Sequence, residues 1–246
     1  MKKLLIAGIL ALALTPFVGA KADISFTIGN CGNCNETNVL FQAPETGTSL
    51  DHGQVDHTGA AVLFDSLTSQ TLNQVAQGQA DITCAANCTD NSAVHHDMGS
   101  QLNSIEMRPG LDSNNMQTAW TDVILNLNNG TGPAFVTVTD DFNKTFSYTL
   151  GTGQNFLTII ANTNAQNIQE FISDVKVTET AAGIAAGTPF GFDDLKQPRV
   201  SGLCEVQNVA TGSCNPIANV PEPASMALLA SGLLGLGFTY RRRRRS

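Results

Sequence analysis

Apolar and polar residues alternate with a period of two through most of this chain, and no long stretch holds a helical period of 3.6. Residues 23–29 (DISFTIG) put Ile24, Phe26 and Ile28 on one face. Residues 120–127 (WTDVILNL), 134–140 (AFVTVTD), 155–161 (NFLTIIA), 171–177 (FISDVKV) and 199–203 (RVSGL) are further runs rich in β-branched residues. In residues 145–150 (TFSYTL), Phe146, Tyr148 and Leu150 alternate with Ser147 and Thr149. Residues 38–42, 60–64 and 79–84 read as three more strands. Residues 66–77 could place Leu67, Leu72 and Val75 on a short helix, but their Thr, Ser, Asn and Gln content disfavours it. The clearest local prediction is a hairpin. Val136 and Val138 line one strand, residues 140–144 (DDFNK) turn, and Phe146, Tyr148 and Leu150 return. About ten short strands between Gly, Asn, Asp and Pro clusters predict an all-β, two-sheet antiparallel β-sandwich, jelly-roll-like, over residues 23–203.

The two ends break this pattern. Lys2 and Lys3 precede an apolar run of eleven residues, 4–14, and Ala20 and Ala22 stand where a signal peptidase cuts. That run is too short to span a bilayer, so residues 1–22 read as a cleaved signal peptide and the mature chain starts at Asp23. At the other end, Pro221, Glu222 and Pro223 precede an uncharged segment, 224–240, of about 25 Å as a helix, enough for one transmembrane pass. Arg241, Arg242, Arg243, Arg244 and Arg245 follow as a cytoplasmic stop, which places the body outside. Residues 204–219 read as a linker.

Composition narrows the partners. The chain has 246 residues and a formal charge of −8, but its cations gather at the ends. Between Asp23 and Val220 only Arg108, Lys144, Lys176, Lys196 and Arg199 face 20 acidic residues, a net of −15. Nucleic acid is excluded as a partner of the body, because phosphate contacts need clustered cations.

The order Pro-Glu-Pro, Gly/Leu-rich span and arginine cluster in residues 220–246 resembles the PEP-CTERM sorting signal of Gram-negative bacteria. The resemblance implies that an exosortase, an integral membrane cysteine protease, recognises Pro221, Glu222 and Pro223 and removes the helix. It further implies a transient inner-membrane precursor, delivered by signal peptidase and the export machinery, and a destination at the cell surface or extracellular matrix. In the body, residues 38–41, 78–82, 153–156, 192–195 and 199–202 resemble, more loosely, a class of PEP-CTERM domains without assigned activity.

Six cysteines in an exported chain predict disulfides, grouped as Cys31 with Cys34, Cys84 with Cys88, and Cys204 with Cys214. Such short loops would pin turns rather than hold the fold together. A redox role for Cys31 and Cys34 lacks the βαβ setting, and a zinc site from Cys31, Cys34, Cys84 and Cys88 needs thiolates that oxidation removes. His52, His57, His95 and His96 lie beside Asp51, Asp56 and Asp97 in segments that read as polar surface loops. Calcium is the candidate ion, with Asp140, Asp141, Asp193 and Asp194 as its oxygen donors.

For catalysis there is no Gly-x-Ser-x-Gly elbow, no His-Glu-x-x-His and no phosphate loop. Trp120 is the single candidate platform for a sugar ring. These features predict an exported, non-enzymatic surface or matrix protein. Two alternatives from other classes are a carbohydrate-binding module that retains exopolysaccharide and a secreted hydrolase with an unsigned carboxylate pair.

Overall fold

The alternating segments become strands in the computed structural model, which describes residues 23–30, 36–41, 46–48, 50–76, 80–88, 101–112, 114–164, 168–186, 190–208 and 213–216. The first seven strands are β1 (Ile24–Ile28), β2 (Thr37–Leu40), β3 (Thr46–Thr48), β4 (Leu50–Val55), β5 (Ala61–Asp65), β6 (Thr71–Ala76) and β7 (Ala80–Ala86). The middle of the chain gives β8 (Ser104–Pro109), β9 (Thr118–Ala119), β10 (Asp122–Asn128), β11 (Ala134–Asp140), β12 (Thr145–Leu150), β13 (Phe156–Ala161) and β14 (Ile172–Glu179). A one-turn helix α1 (Ala181–Ala185) precedes β15 (Asp194–Lys196), β16 (Arg199–Ser201), β17 (Cys204–Asn208) and β18 (Ser213–Pro216). The described residues are thus all-β with antiparallel pairing throughout.

Hydrogen bonds link most strands in one path, β12-β11-β14-β8-β5-β4-β2-β16-β10-β15-β7-β6-β3, with β13 and then β1 on the other edge of β10. The path turns where strands break. β15 and β16 are two halves of one strand interrupted at Gln197-Pro198, where Gln197 takes φ 45° and Pro198 has no N–H to donate. The first half pairs with β7, and the second pairs with β2. β2 is shared likewise, offering Thr37 and Asn38 to β16 and Val39 and Leu40 to β4. A separate sheet, β18-β17-β9, covers a small cluster of Ala119, Phe171 and Cys204.

Alternation decides which side of each strand is dry. In one run of strands Val138, Val175, Met107 and Phe64 stand opposite one another in sequence across β11, β14, β8 and β5, all buried. In the other, Ile159, Val123 and Val200 do the same across β13, β10 and β16, and Leu127, Leu195 and Ile82 across β10, β15 and β7. Both rows belong to a single apolar cluster. Each such side chain stabilises the fold by about 1.5–3 kcal/mol relative to exposure. The outward side is polar. Lys176 Nζ bridges Asp174 Oδ2 (2.6 Å) and Glu106 Oε1 (2.9 Å), and Arg108 lies 3.8 Å from Asp65.

The hairpin expected over residues 134–150 has the bounds of β11 and β12, with Val136 opposite Tyr148 and Val138 opposite Phe146. Residues 66–77, where a helix is disfavoured, contain β6, with Leu72 buried and Leu67 exposed. Two segments differ from expectation. Residues 50–55, whose Asp, His and Gly suggest a loop, form β4, because Gly53 lets the backbone press against its neighbours. A Cβ there would sit 2.5 Å from Val39 Cγ1. Residues 204–219, expected as a linker, contain the β17–β18 hairpin, which docks on β9 through Cys204 opposite Ala119.

Candidate functional site

Two adjacent acidic residues, Asp140 and Asp141, stand at the β11–β12 turn. Asp140 closes it: the Phe142 and Lys144 N–H groups donate to its Oδ1 (2.9 and 2.7 Å), and the Asn143 N–H donates to its carbonyl (3.1 Å). Asn143 takes φ 61°, the left-handed conformation that Asn tolerates better than most residues. Asp141 Oδ1 accepts from Phe171 N–H (3.1 Å), tying the turn to the segment entering β14.

Two more chain segments arrive at the same place. Lys144 Nζ pairs with Asp23 Oδ2 and lies 4.7 Å from the centre of the Phe146 ring. The Asn162 N–H donates to the Asp23 carbonyl (2.7 Å), and the Asn162 carbonyl accepts from Glu170 N–H (3.2 Å). Asp23, Asp140 and Glu170 therefore act on a single ammonium, Lys144, and Asp141 stands beside Asp140.

Asp140, Asp141 and Glu170 are 1%, 6% and 4% exposed. Their burial pushes all three carboxyls above their ordinary values, and neighbouring carboxylates add to the rise. Glu170 is raised further by Asp23 and Asp140, and Asp140 by Asp23. The hydrogen bond to Asp23 holds Lys144 above its usual value. Asp140 Oδ2 and Glu170 Oε2 are buried and meet no hydrogen-bond donor. Buried acceptors without donors are costly.

The other expected donors lie elsewhere. Asp193 accepts from Gln101 Nε2 (3.0 Å) and Asn129 Nδ2 (2.7 Å), and Asp194 from Asn128 Nδ2 (3.2 Å). Asp140 and Asp141 share none of these partners, so the four aspartates do not form one ligand set. Among the described residues, no group of three or more His, Cys, Asp or Glu is arranged to hold a metal.

Trp120 is 0% exposed, a member of the main core, and pairs through its backbone with Ile172. As a wholly buried residue it offers no face to a sugar ring, which corrects the expectation of a platform there.

Cys84, within β7 opposite Leu72, and Cys88, just past the end of that strand, form the expected disulfide. Cys204 is disulfide-bonded. The side chains of Cys31, Cys34 and Cys214 lie outside the described residues. His52 lies in β4 rather than a loop, and His57 occupies the following turn at φ 66°, with Nε2 3.4 Å from Asp56 Oδ2. His95, His96, Ala20, Ala22, Pro221, Glu222, Pro223 and Arg241 to Arg245 also lie outside the described residues. Among those residues, no helix is long and apolar enough to cross a membrane.

Sequence reasoning found Asp140 and Asp141 but missed Asp23, Lys144 and Glu170 as their company. The Asp-x-x-Asn turn signature locates the first pair, and nothing local points to Glu170.

Comparison with known proteins identifies one segment. Residues 219–244 match the family model of the PEP-CTERM protein-sorting motif. No curated protein and no solved structure matches the chain.

Proposed function

We propose that this chain, a PEP-CTERM protein, is a non-enzymatic component of the cell surface or extracellular matrix, built as a two-sheet β-sandwich. It is exported behind a cleaved leader, held briefly in the inner membrane by residues 224–240 and released by an exosortase at Pro221, Glu222 and Pro223. The observation that carries this reading is the sorting motif at residues 219–244. It fits a body with 20 acidic residues against five cations, soluble and repelled by polyanions. The carbohydrate-binding alternative rested on Trp120, and its burial removes that support.

Fractionating producer cells, with and without residues 221–246, tests the proposal. The full chain is expected at the surface, lighter by both its leader and its Arg-terminated helix, and the truncated chain in the periplasm. A full chain in the cytosol with residues 1–22 still attached would overturn it.

A further inference from the structure

The carboxylate cluster has one cation, Lys144, and removal of the leader would create a second on Asp23. Hydrolysis after Ala22 breaks the Ala22–Asp23 amide. Water supplies the hydroxyl that completes the Ala22 carboxyl group and the hydrogen that goes to the Asp23 nitrogen. That nitrogen then takes a further proton near neutral pH and becomes an ammonium. It sits three bonds from the carboxylate carbon that pairs with Lys144, on a residue whose carbonyl is fixed by Asn162. Glu170 is bonded through its own N–H to the other side of Asn162, and Asp140 holds the turn that carries Lys144.

We propose that Asp140 Oδ2 and Glu170 Oε2 form the docking site for the protein's own mature amino terminus, so that leader removal locks the exported domain. The inference rests on the export reading above for the position of the cut. Before cleavage, Asp23 presents an uncharged amide and one ammonium, Lys144, faces three carboxylates, those of Asp23, Asp140 and Glu170. After cleavage a second cation with three donors stands beside the two buried oxygens that have none. An ammonium fits this geometry better than calcium. Asp140 Oδ1 already accepts two N–H groups and Asp141 Oδ1 another, which leaves too few oxygens for the six to eight that calcium takes.

The test compares the chain from Asp23 to Ser246 with a free amine against the same chain carrying a Gly-Ser extension, each with and without Glu170→Gln. At pH 7 the free amine is expected to raise Tm by roughly 3 °C, and Glu170→Gln to cut that gap at least by half. In the unsubstituted chain, the α-ammonium of isotope-labelled Asp23 is expected to titrate about one unit above the usual 7.7–8.0. This readout holds even if Glu170→Gln fails to fold. Equal Tm values with an unshifted α-amine overturn the proposal. So does a millimolar calcium arm in which the metal stabilises the extended chain and Glu170→Gln removes the gain. Sequencing the exported protein's amino terminus separates the two readings. A start other than Asp23 would sink the assigned cut, while the free-amine chain still reports on docking.

Discussion

Two hairpin turns in this protein have the same backbone design and opposite electrostatics. In the first, the Asn114 and Met116 N–H groups donate to Asp112 Oδ1 (2.9 and 2.8 Å), the Asn115 N–H donates to the Asp112 carbonyl, and Asn115 takes φ 59°. The second repeats this pattern with Asp140, Phe142, Asn143 and Lys144. Yet the bond from Met116 N–H, with further bonds nearby, holds the Asp112 carboxyl below its ordinary value, whereas burial lifts Asp140 above it. The difference lies in the second oxygen. Asp112 Oδ2 accepts from the Asn114 amide (3.3 Å), while Asp140 Oδ2 is buried among carboxylates with no donor. Local sequence builds the turn, and the surroundings decide whether its charge helps or harms.

The largest expected effect breaks the turns themselves. Asp140→Ala should leave two N–H groups without their acceptor and cost about 2 kcal/mol in urea unfolding at pH 4, where charge burial matters least. Asp112→Ala should cost less, because its turn lies nearer water.

Next in size is the left-handed residue. Asn143→Val and Asn115→Val should each destabilise by about 1–2 kcal/mol, and Asn→Gly at either position by no more than a few tenths. A large gap between the two sites would mean that the turns are not equivalent.

The pH dependence separates them in sign. Asp140, Asp141 and Glu170 have ordinary values of 3.8, 3.8 and 4.5, and all three are raised in the folded state. The folded protein keeps protons that the unfolded chain has released. Their contribution is therefore fully favourable below the ordinary values and declines as pH climbs through the folded ones. Asp112 behaves oppositely: its contribution is present above 3.8 and is lost as pH falls through its lowered folded value. In a chain with an extended amino terminus, Asp140→Asn should flatten the decline on the alkaline side of pH 4. Asp112→Asn should flatten the acid limb instead, with both read as Tm against pH.

The smallest effect concerns the ion pair at the edge of the cluster. The Lys144 side chain is 55% exposed, so Lys144→Met should cost about 0.5 kcal/mol at low ionic strength and less at 1 M salt.

Legibility followed the distance over which each feature is built. The β11–β12 hairpin could be read to the residue, because strand alternation and an Asp-x-x-Asn turn act within 17 consecutive positions. β8 was overlooked, although Ile105 and Met107 face inward and Glu106 and Arg108 outward. Glu, Met and Arg favour helices, and only pairing with β5 and β14 overrides that preference. β4 was hidden by Gly53, whose missing side chain reads as a loop until its neighbours are known.

Composition and order along the chain determined three things unaided: an all-β body, a body poor in cations, and a carboxy-terminal sorting segment. Each is written in near neighbours, because alternation, charge and an apolar run need no partner from far away. Only tertiary structure buried Trp120 in the main core, split β15 from β16 and carried Asp23 and Glu170, 147 positions apart, to either side of Asn162. Those arrangements depend on strand pairing across the whole sheet. The burial that raises a carboxyl is a property of the assembled core, not of any segment of it.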